Sequence, residues 1–343
     1  MKDIIIKTIT FVHYTYKMSR ILTGIQSTGT PHLGNILGAI VPAIGLANKS
    51  KNQSFLFIAD MHSLTQIKDK ELLRSNTYAT AAAWLAFGLN TDKTVFYRQS
   101  DVPQATELSW ILSCHFPFQR LTLAHSFKDK SDRLSDVNVG IFTYPMLMAS
   151  DILLYDANEV PVGKDQQQHL EMTRDVASRF NNLYGETFVL PEGRVNEETQ
   201  LVLGTNGEKM SKSKGNIIDI FLPEKLLKKQ IMSIQTDSTP IDKPKDYSNC
   251  NVFKIFKLIA DEKSIDKMKN NYTAGGFGYG HAKTELLNFI LSNYSDQREK
   301  FNYFMSNKNE LDSILSSGAK KAKIVANEVL GRVRQKLGYN LII

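Results

Sequence analysis

The sequence predicts an α/β protein: a parallel sheet covered by helices, followed by an all-helical C-terminal part. Three observations predict it. Four short segments rich in β-branched and aromatic residues, RILTGI (20–25), SFLFIAD (54–60), TVFYRQ (94–99) and EVPVG (159–163), alternate with helical patterns. That order favours a parallel sheet with helices on both faces. From Leu222 onward, PEKLLKKQIMSI, NVFKIFKLIA and the segments after them have helical spacing and no convincing strand. Charge divides at the same place: residues 1–220 hold 22 basic and 22 acidic residues, whereas 221–343 hold 20 and 13, so the formal net charge of +7 sits in the last third. Such segregation points to a polyanionic partner for that part, with chance surface composition as the alternative.

The first 18 residues, MKDIIIKTITFVHYTYKM, precede the first strand as an N-terminal extension and a candidate for disorder. They have neither a long apolar run nor a small-residue cleavage site, so a secretory leader is not expected. An apolar fraction of 42% is enough for a core. The two cysteines, Cys114 and Cys250, form no CxxC pair, which argues against a disulfide framework or structural zinc and for a reducing, cytoplasmic setting. No apolar run is long enough to span a bilayer. The expected units are 1–18, 19–220 and 221–343.

In open parallel sheets, ligands bind beyond the carboxyl ends of the strands, so the loops after Ile25, Asp60 and Gly163 are the places to look. After the first strand comes TGIQSTGTPHLGNILGAI (23–40), a glycine-bearing turn leading into a helix start, which suits a phosphate group. It is neither a P-loop nor a dinucleotide fingerprint. His32 and Asn35 are three apart, hence neighbours on the first helical turn and candidate donors to one phosphate. Taken alone, His32 reads more often as a surface or capping residue. The helix KELLRSNTYATAAAWLAFGL (70–89) follows the second strand.

In TYPMLMASDILLY (143–155), Pro145 suits a first helical position, and Tyr144, Met148, Asp151 and Tyr155 fall on one face. An aspartate among Met148, Ile152 and Leu153 is costly to bury unless it meets a donor; an N-terminal helix charge or a core salt bridge is the plainer reading. At the end of the α/β part, GEKMSKSKGN (207–216) carries three lysines and two serines with almost no apolar side chain. It is either a solvated loop or a mobile anion clamp in which ammonium groups meet phosphate. AGGFGYG (274–280) reads as a flexible link between helices, because no strand precedes it.

The pair PHLGN (31–35) and KMSKS (209–213), in that order, resembles the two motifs of class I aminoacyl-tRNA synthetases. With TGIQSTG (23–29), residues 143–181 and GAKKAKIVANEVLGRVRQ (318–335), the chain from 19 onward is similar to bacterial-type tryptophanyl-tRNA synthetases. It departs from the pattern at Asn35, where many members have a second histidine, and at Ser27, where proline is common. The resemblance implies a Rossmann-like nucleotide-binding catalytic domain, a helical anticodon-binding domain, and ATP with Mg²⁺, L-tryptophan and tRNA(Trp) as partners of a homodimer. It implies that Lys209, Lys212 and His32 are catalytic. ATP would meet Gln26, Ser27, Thr28, Gly34, Asn35, Lys130, Gly163, Lys164, Asp165, Val195 and the loop Lys209, Met210, Ser211, Lys212 and Ser213. Tryptophan would meet Gly24, His62, Tyr144, Met148, Asp151, Val160, Val162 and Gln166, and no side chain is assigned to metal. The rival readings are a tyrosine-specific sister enzyme, a nucleotidylyltransferase without tRNA, and a non-catalytic RNA-binding paralogue.

Overall fold

The computed structural model describes residues 19–49, 52–124, 127, 137–163, 166–195 and 202–340. Five strands, β1 (Arg20–Ile25), β2 (Gln53–Ile58), β3 (Thr94–Arg98), β4 (Glu159–Val162) and β5 (Glu192–Val195), form a parallel sheet in the order β3-β2-β1-β4-β5. Four are the strands expected from β-branched and aromatic runs. The fifth, EGRV, has no strand composition, and pairing with β4 makes it one. Gly193 in it lets a helix approach closely, since a Cβ there would stand 2.6 Å from Leu170 Cδ2. Consecutive strands run to one side of β1 up to β3, then to the other through β4. The crevice beyond β1 and β4 is therefore the topological switch point.

The helix after β1 is α-helical over Leu33–Asn35, π-helical over Ile36–Ile40 and α-helical again over Val41–Lys49 (together α1). Then come α2 (Asp60–Ser63), α3 (Lys70–Ala86), α4 (Gln104–His115), α5 (Phe118–Leu121), α6 (Val139–Leu153) and α7 (Gln167–Tyr184). Asp69 caps α3 by accepting from the Leu72 N–H at 2.7 Å. Pro145 does not begin a helix as expected. α6 starts at Val139, upstream of the residues whose spacing suggested the start, and carries the proline inside it.

Alternate residues of the strands feed two cores. Leu56, Ile58 and Phe96 pack with Ile36, Ile40 and Trp84 on one face. Leu22, Phe55, Phe57 and Tyr97 pack with residues of α4, α6 and α7 on the other. After residue 220 the described elements are all helices: α8 (Glu224–Met232), α9 (Asn251–Ile259), α10 (Glu262–Ala274), α11 (Tyr279–Asn293), α12 (Ser295–Ser306) and α13 (Lys308–Lys336). Gly275 and Gly276, both at positive φ (78° and 74°), make the link between α10 and α11.

This helical part returns to the sheet. Leu311 and Leu315 of α13 join the first core, and Ala319 to Val333 join the second. Between them Gly318 lies on the edge strand β3, where an added Cβ would stand 1.8 Å from the Phe96 carbonyl oxygen. The helix thereby covers an edge that would otherwise offer an open ladder. Arg332 ties its far end to the buried Asp156 (2.6 Å), which also forms an ion pair with Arg20 at the start of β1 (3.6 Å). No helix among the described residues is long and apolar enough to cross a membrane.

Because backbone stands where the Cβ would go, Gly318→Ala should lower stability by about 1–3 kcal/mol, the usual cost of overpacking. An unchanged urea midpoint for the variant would show that α13 is not seated on β3 in solution.

Candidate active site

The turn after β1 and the lysine loop meet at the switch point. His32 is the N-cap of α1: its Nδ1 accepts from the Asn35 N–H at 3.2 Å, while Asn35 Oδ1 accepts from the His32 N–H at 3.3 Å. The two side chains expected as free phosphate donors are thus committed to each other, because a helix start must satisfy its own N–H groups. Each keeps a donor group. With Nδ1 accepting, the imidazole proton sits on Nε2, and Asn35 retains its amide NH₂. Burial, with the Lys212 charge second, pushes the His32 pKa down to about 4, so the ring is neutral at physiological pH.

The lysine loop is docked onto this turn. Met210 is buried in the first core, and its Sδ accepts from the Gly34 N–H at 3.3 Å, so it anchors the loop through its side chain. Leu33 N–H donates to the Ile218 carbonyl at 2.8 Å. Lys212 reaches across to the Gly29 carbonyl (Nζ to O, 2.7 Å), and Gly29, at φ 137°, leaves room for its methylenes. Lys209 is exposed, and the Ser211 and Ser213 hydroxyls lie 2.9 Å apart. Asn216, which sequence reading left without a role, organises the loop. Its amide donates to Asn206 Oδ1 (2.6 Å) and the Lys209 carbonyl (3.1 Å), and its oxygen accepts from the Ser211 N–H (2.8 Å). Gly204 has no side chain because Asn216 occupies that space.

Ser27 is a correction. Its hydroxyl does not face the crevice: it is fully buried, 3.1 Å from Ser63 Oγ, and accepts from Thr77 Oγ1 at 3.2 Å. A serine fits where proline is common because these hydroxyls satisfy one another and hold the turn to α2 and α3. Thr28 is half-buried in the same turn. Lys130, Lys164 and Asp165 lie outside the described residues, and so does the extension 1–18. Val195 lies in β5 in register with Val162 of β4.

Beside this seam opens a cavity of about 1220 Å³. All eight residues expected around an indole line it: Gly24, His62, Tyr144, Met148, Asp151, Val160, Val162 and Gln166. Gln26 and Gly163 line it too, and Gln26 Nε2 donates to the Tyr144 hydroxyl at 3.0 Å, joining the first turn to α6. The fourth residue of the expected helix face, Tyr155, lies past the end of α6 and stacks on Phe55 in the core (4.8 Å between ring centroids). Several lining residues escaped sequence reading, Phe57 and Gly38 among them. Phe57 packs its ring against Gly24, where a Cβ would be 2.4 Å away, and Gly38 of the π-helical segment leaves open space along α1.

Asp151 is buried at 4% exposure, as its apolar neighbours implied. Its partners inside the protein are His62 Nε2 (2.9 Å from Oδ2) and the Gln99 amide (2.8 and 2.9 Å from its two oxygens). Burial raises its pKa, and the bonds from His62 and Gln99 oppose that. His62, expected beside the amino acid, is in direct contact with Asp151. Gln99 could have been found, since it stands at the carboxyl end of β3, where site residues of parallel sheets gather.

Residues 16–295 match the family model of tRNA synthetases class I (W and Y). The tryptophan–tRNA ligase of Campylobacter jejuni is 48% identical, over 93% of this chain and 99% of its own. That of Fusobacterium nucleatum is 46% identical, over 94% and 98%. The chain belongs to the class I tryptophanyl- and tyrosyl-tRNA synthetase family. Among solved structures, the tryptophanyl-tRNA synthetase of Campylobacter jejuni complexed with ADP and tryptophan superposes on this synthetase with a TM-score of 0.89, at 48% identity over 93% of this chain and 99% of that one. The tyrosyl-tRNA synthetase of Archaeoglobus fulgidus complexed with L-tyrosine shares the fold, with a TM-score of 0.62 at 17% identity over 84% of this synthetase and 91% of that chain.

Burial pushes the Lys212 pKa down to about 8, with the nearby Asp219 carboxylate opposing the shift. The ammonium that would meet an anion is therefore lost as pH rises through about 8. Affinity for inorganic pyrophosphate should fall above that pH by up to about tenfold per unit. Lys212→Arg, whose guanidinium stays charged, should remove that part of the decline. Calorimetric titrations of both proteins across pH check this, and identical profiles would clear Lys212 of the role.

Proposed function

We propose that this synthetase is a tryptophan–tRNA ligase that joins L-tryptophan to ATP, releasing pyrophosphate, and then passes the tryptophanyl group to the 3′-terminal ribose of tRNA(Trp). The observation that carries the reading is two complementary parts on either side of the turn after β1: an apolar cavity with a buried acceptor, Asp151, and a lysine loop docked against a helix N-terminus. Activation sets a carboxylate against the α-phosphate of ATP, so the obstacle is electrostatic repulsion and charge growing on the leaving group. Positioning and cationic clamping answer it without a covalent intermediate.

In this reading His32 Nε2–H, the Asn35 amide and the N–H groups at the start of α1 hold phosphate, and Lys209 and Lys212 follow the charge onto pyrophosphate. Lys212 must exchange the Gly29 carbonyl for a phosphate oxygen, a move that the glycine-flanked loop permits. Gln26, Gly163 and Gln166 line the crevice where amino acid and nucleotide meet. Asp151 accepts the indole N–H, between the Val160 and Val162 wall and the polarisable Met148. Among the described residues no group of three histidine, cysteine or acidic side chains stands ready to hold a metal. Magnesium is read as arriving on the nucleotide's own phosphates, with no protein group assigned to it.

The helical part after 220 is read as the anticodon-end binder, on its excess of basic residues. A homodimer is favoured by Trp110, Phe118 and Val139, exposed apolar side chains on α4, α5 and α6 at 73, 65 and 75%. The free cysteines, Cys114 and Cys250, suit a cytoplasmic setting.

The direct test is ATP–pyrophosphate exchange. It should depend on tryptophan and not on tyrosine, and exchange driven by tyrosine would favour the sister specificity. In that assay Lys212→Ala should lose roughly 10²-fold or more in rate, a usual loss for one preorganised group, with tryptophan affinity little changed. Collapse of tryptophan binding at a preserved rate would reverse the assignment.

Charge reversal at Lys320, Lys321 and Lys323 of α13 should spare pyrophosphate exchange and impair tRNA charging. The slope of tRNA affinity against salt should flatten by about 0.7–0.9 for each phosphate that the variant no longer neutralises. Equal loss of both activities, or unchanged tRNA affinity, would place the tRNA elsewhere.

A further inference from the structure

We infer that Gln99 is a positioning residue for amino-acid specificity: its side-chain amide aims the Asp151 carboxylate and leaves one acceptor position on Oδ1 for a donor in the cavity. This rests on the reading of Asp151 as the acceptor of the indole N–H.

Gln99 is the first residue of the 3-10 turn that follows β3 and is 1% exposed. Its Oε1 accepts from the N–H groups of Met61 (3.2 Å) and His62 (3.4 Å) at the start of α2. Only the amide oxygen can accept, so the orientation of the group follows, and Nε2 must face Asp151. There it lies 2.8 Å from Oδ1 and 2.9 Å from Oδ2, while His62 Nε2 holds Oδ2 at 2.9 Å. A carboxylate has about four acceptor positions. Two are filled at Oδ2 and one at Oδ1, so the position left belongs to Oδ1.

Asp151 borders the cavity, whereas Gln99 does not, so any influence of Gln99 on a ligand passes through Asp151. The neighbouring Met148 and Ile152 offer no donor. Without the amide, the buried carboxyl would take up a proton or turn toward another donor. Either change turns the reading atom into a donor or points it elsewhere.

The test uses the full-length protein and compares L-tryptophan with β-(benzothiophen-3-yl)alanine, which keeps the ring shape but has sulfur in place of N–H. In pyrophosphate exchange the unmodified protein should favour tryptophan in kcat/KM by roughly 10²-fold or more, because the analogue leaves a buried acceptor unpaired. Gln99→Ala should reduce that ratio at least tenfold, chiefly through loss on tryptophan. Gln99→Glu separates positioning from packing. The new carboxyl keeps an oxygen for the Met61 and His62 amides but donates to Asp151 only while one proton is shared between the two. Its discrimination should therefore approach the unmodified value at low pH and fall as pH rises.

The other charged or titratable groups around this point are His62, Asp60 held by Ser100, Arg98 with its partners Asp101 and Asp312, and the buried Tyr97 and Tyr155. They are common to both proteins, so a limb that appears only in the variant belongs to the new pair. Failure of the unmodified protein to distinguish the two substrates would remove the reading of Asp151 and this inference together. Discrimination that persists in Gln99→Ala, or a Gln99→Glu profile parallel to the unmodified one, would overturn the role of Gln99 alone. Should Gln99→Ala not fold, the pH profile of Gln99→Glu decides.

Discussion

Two contacts sew the end of the α/β part to its beginning, Leu33 N–H to the Ile218 carbonyl and Gly34 N–H to Met210 Sδ, and Lys212 Nζ rests beside them on the Gly29 carbonyl. Everything that could act on a phosphate depends on this seam. It joins residues some 180 positions apart, across the point where the strand order reverses. The apolar Met210 supplies the anchor, so the flanking lysines and serines remain free to change partners. A loop held by its charged side chains would have to give up its anchor in order to bind.

The same division between anchoring and acting recurs in the cavity. Asp151 is held by Gln99 and His62, and Tyr144 by Gln26. Phe57 and the Gly24 backbone set the width of the wall without any polar contact. Asp151 is fixed partly by Gln99, which does not border the cavity, while His62 and Gln26 both border it and hold a neighbour in place. That is the arrangement expected where a site must be formed before its ligand arrives.

How far the site was legible in the sequence depended on how local each signal was. Four strands were visible because alternating β-branched and aromatic residues mark a buried sheet, whereas β5 was not, since EGRV has no such pattern and exists as a strand only beside β4. Helical spacing placed Tyr144, Met148 and Asp151 on one face, yet it misjudged Pro145, because α6 begins six residues earlier on contacts that spacing cannot register. Ser27 looked like part of a phosphate turn. Its hydroxyl turned inward because Ser63 and Thr77, 36 and 50 residues away, offered it partners. Asn216 gave no signal, since an amide has no sequence signature until its partners are known, whereas Gln99 had one in its place at the end of β3.

The sequence by itself determined the parallel α/β order, the helical and basic last third, the glycine turn with its helix start, and the lysine loop. Periodicity, composition and charge are properties of neighbouring residues, and they survive without a fold. Only the tertiary structure decided which donors remain free. His32 and Asn35 cap each other, Met210 is an anchor, Lys212 rests on Gly29, and Asp151 is gripped by Gln99. The last helix also returns to cover β3, so the chain past 220 completes both cores of the part before it. Hydrogen bonds and burial are shared between distant segments, and the number of free positions on a donor or acceptor becomes known only when those segments have met.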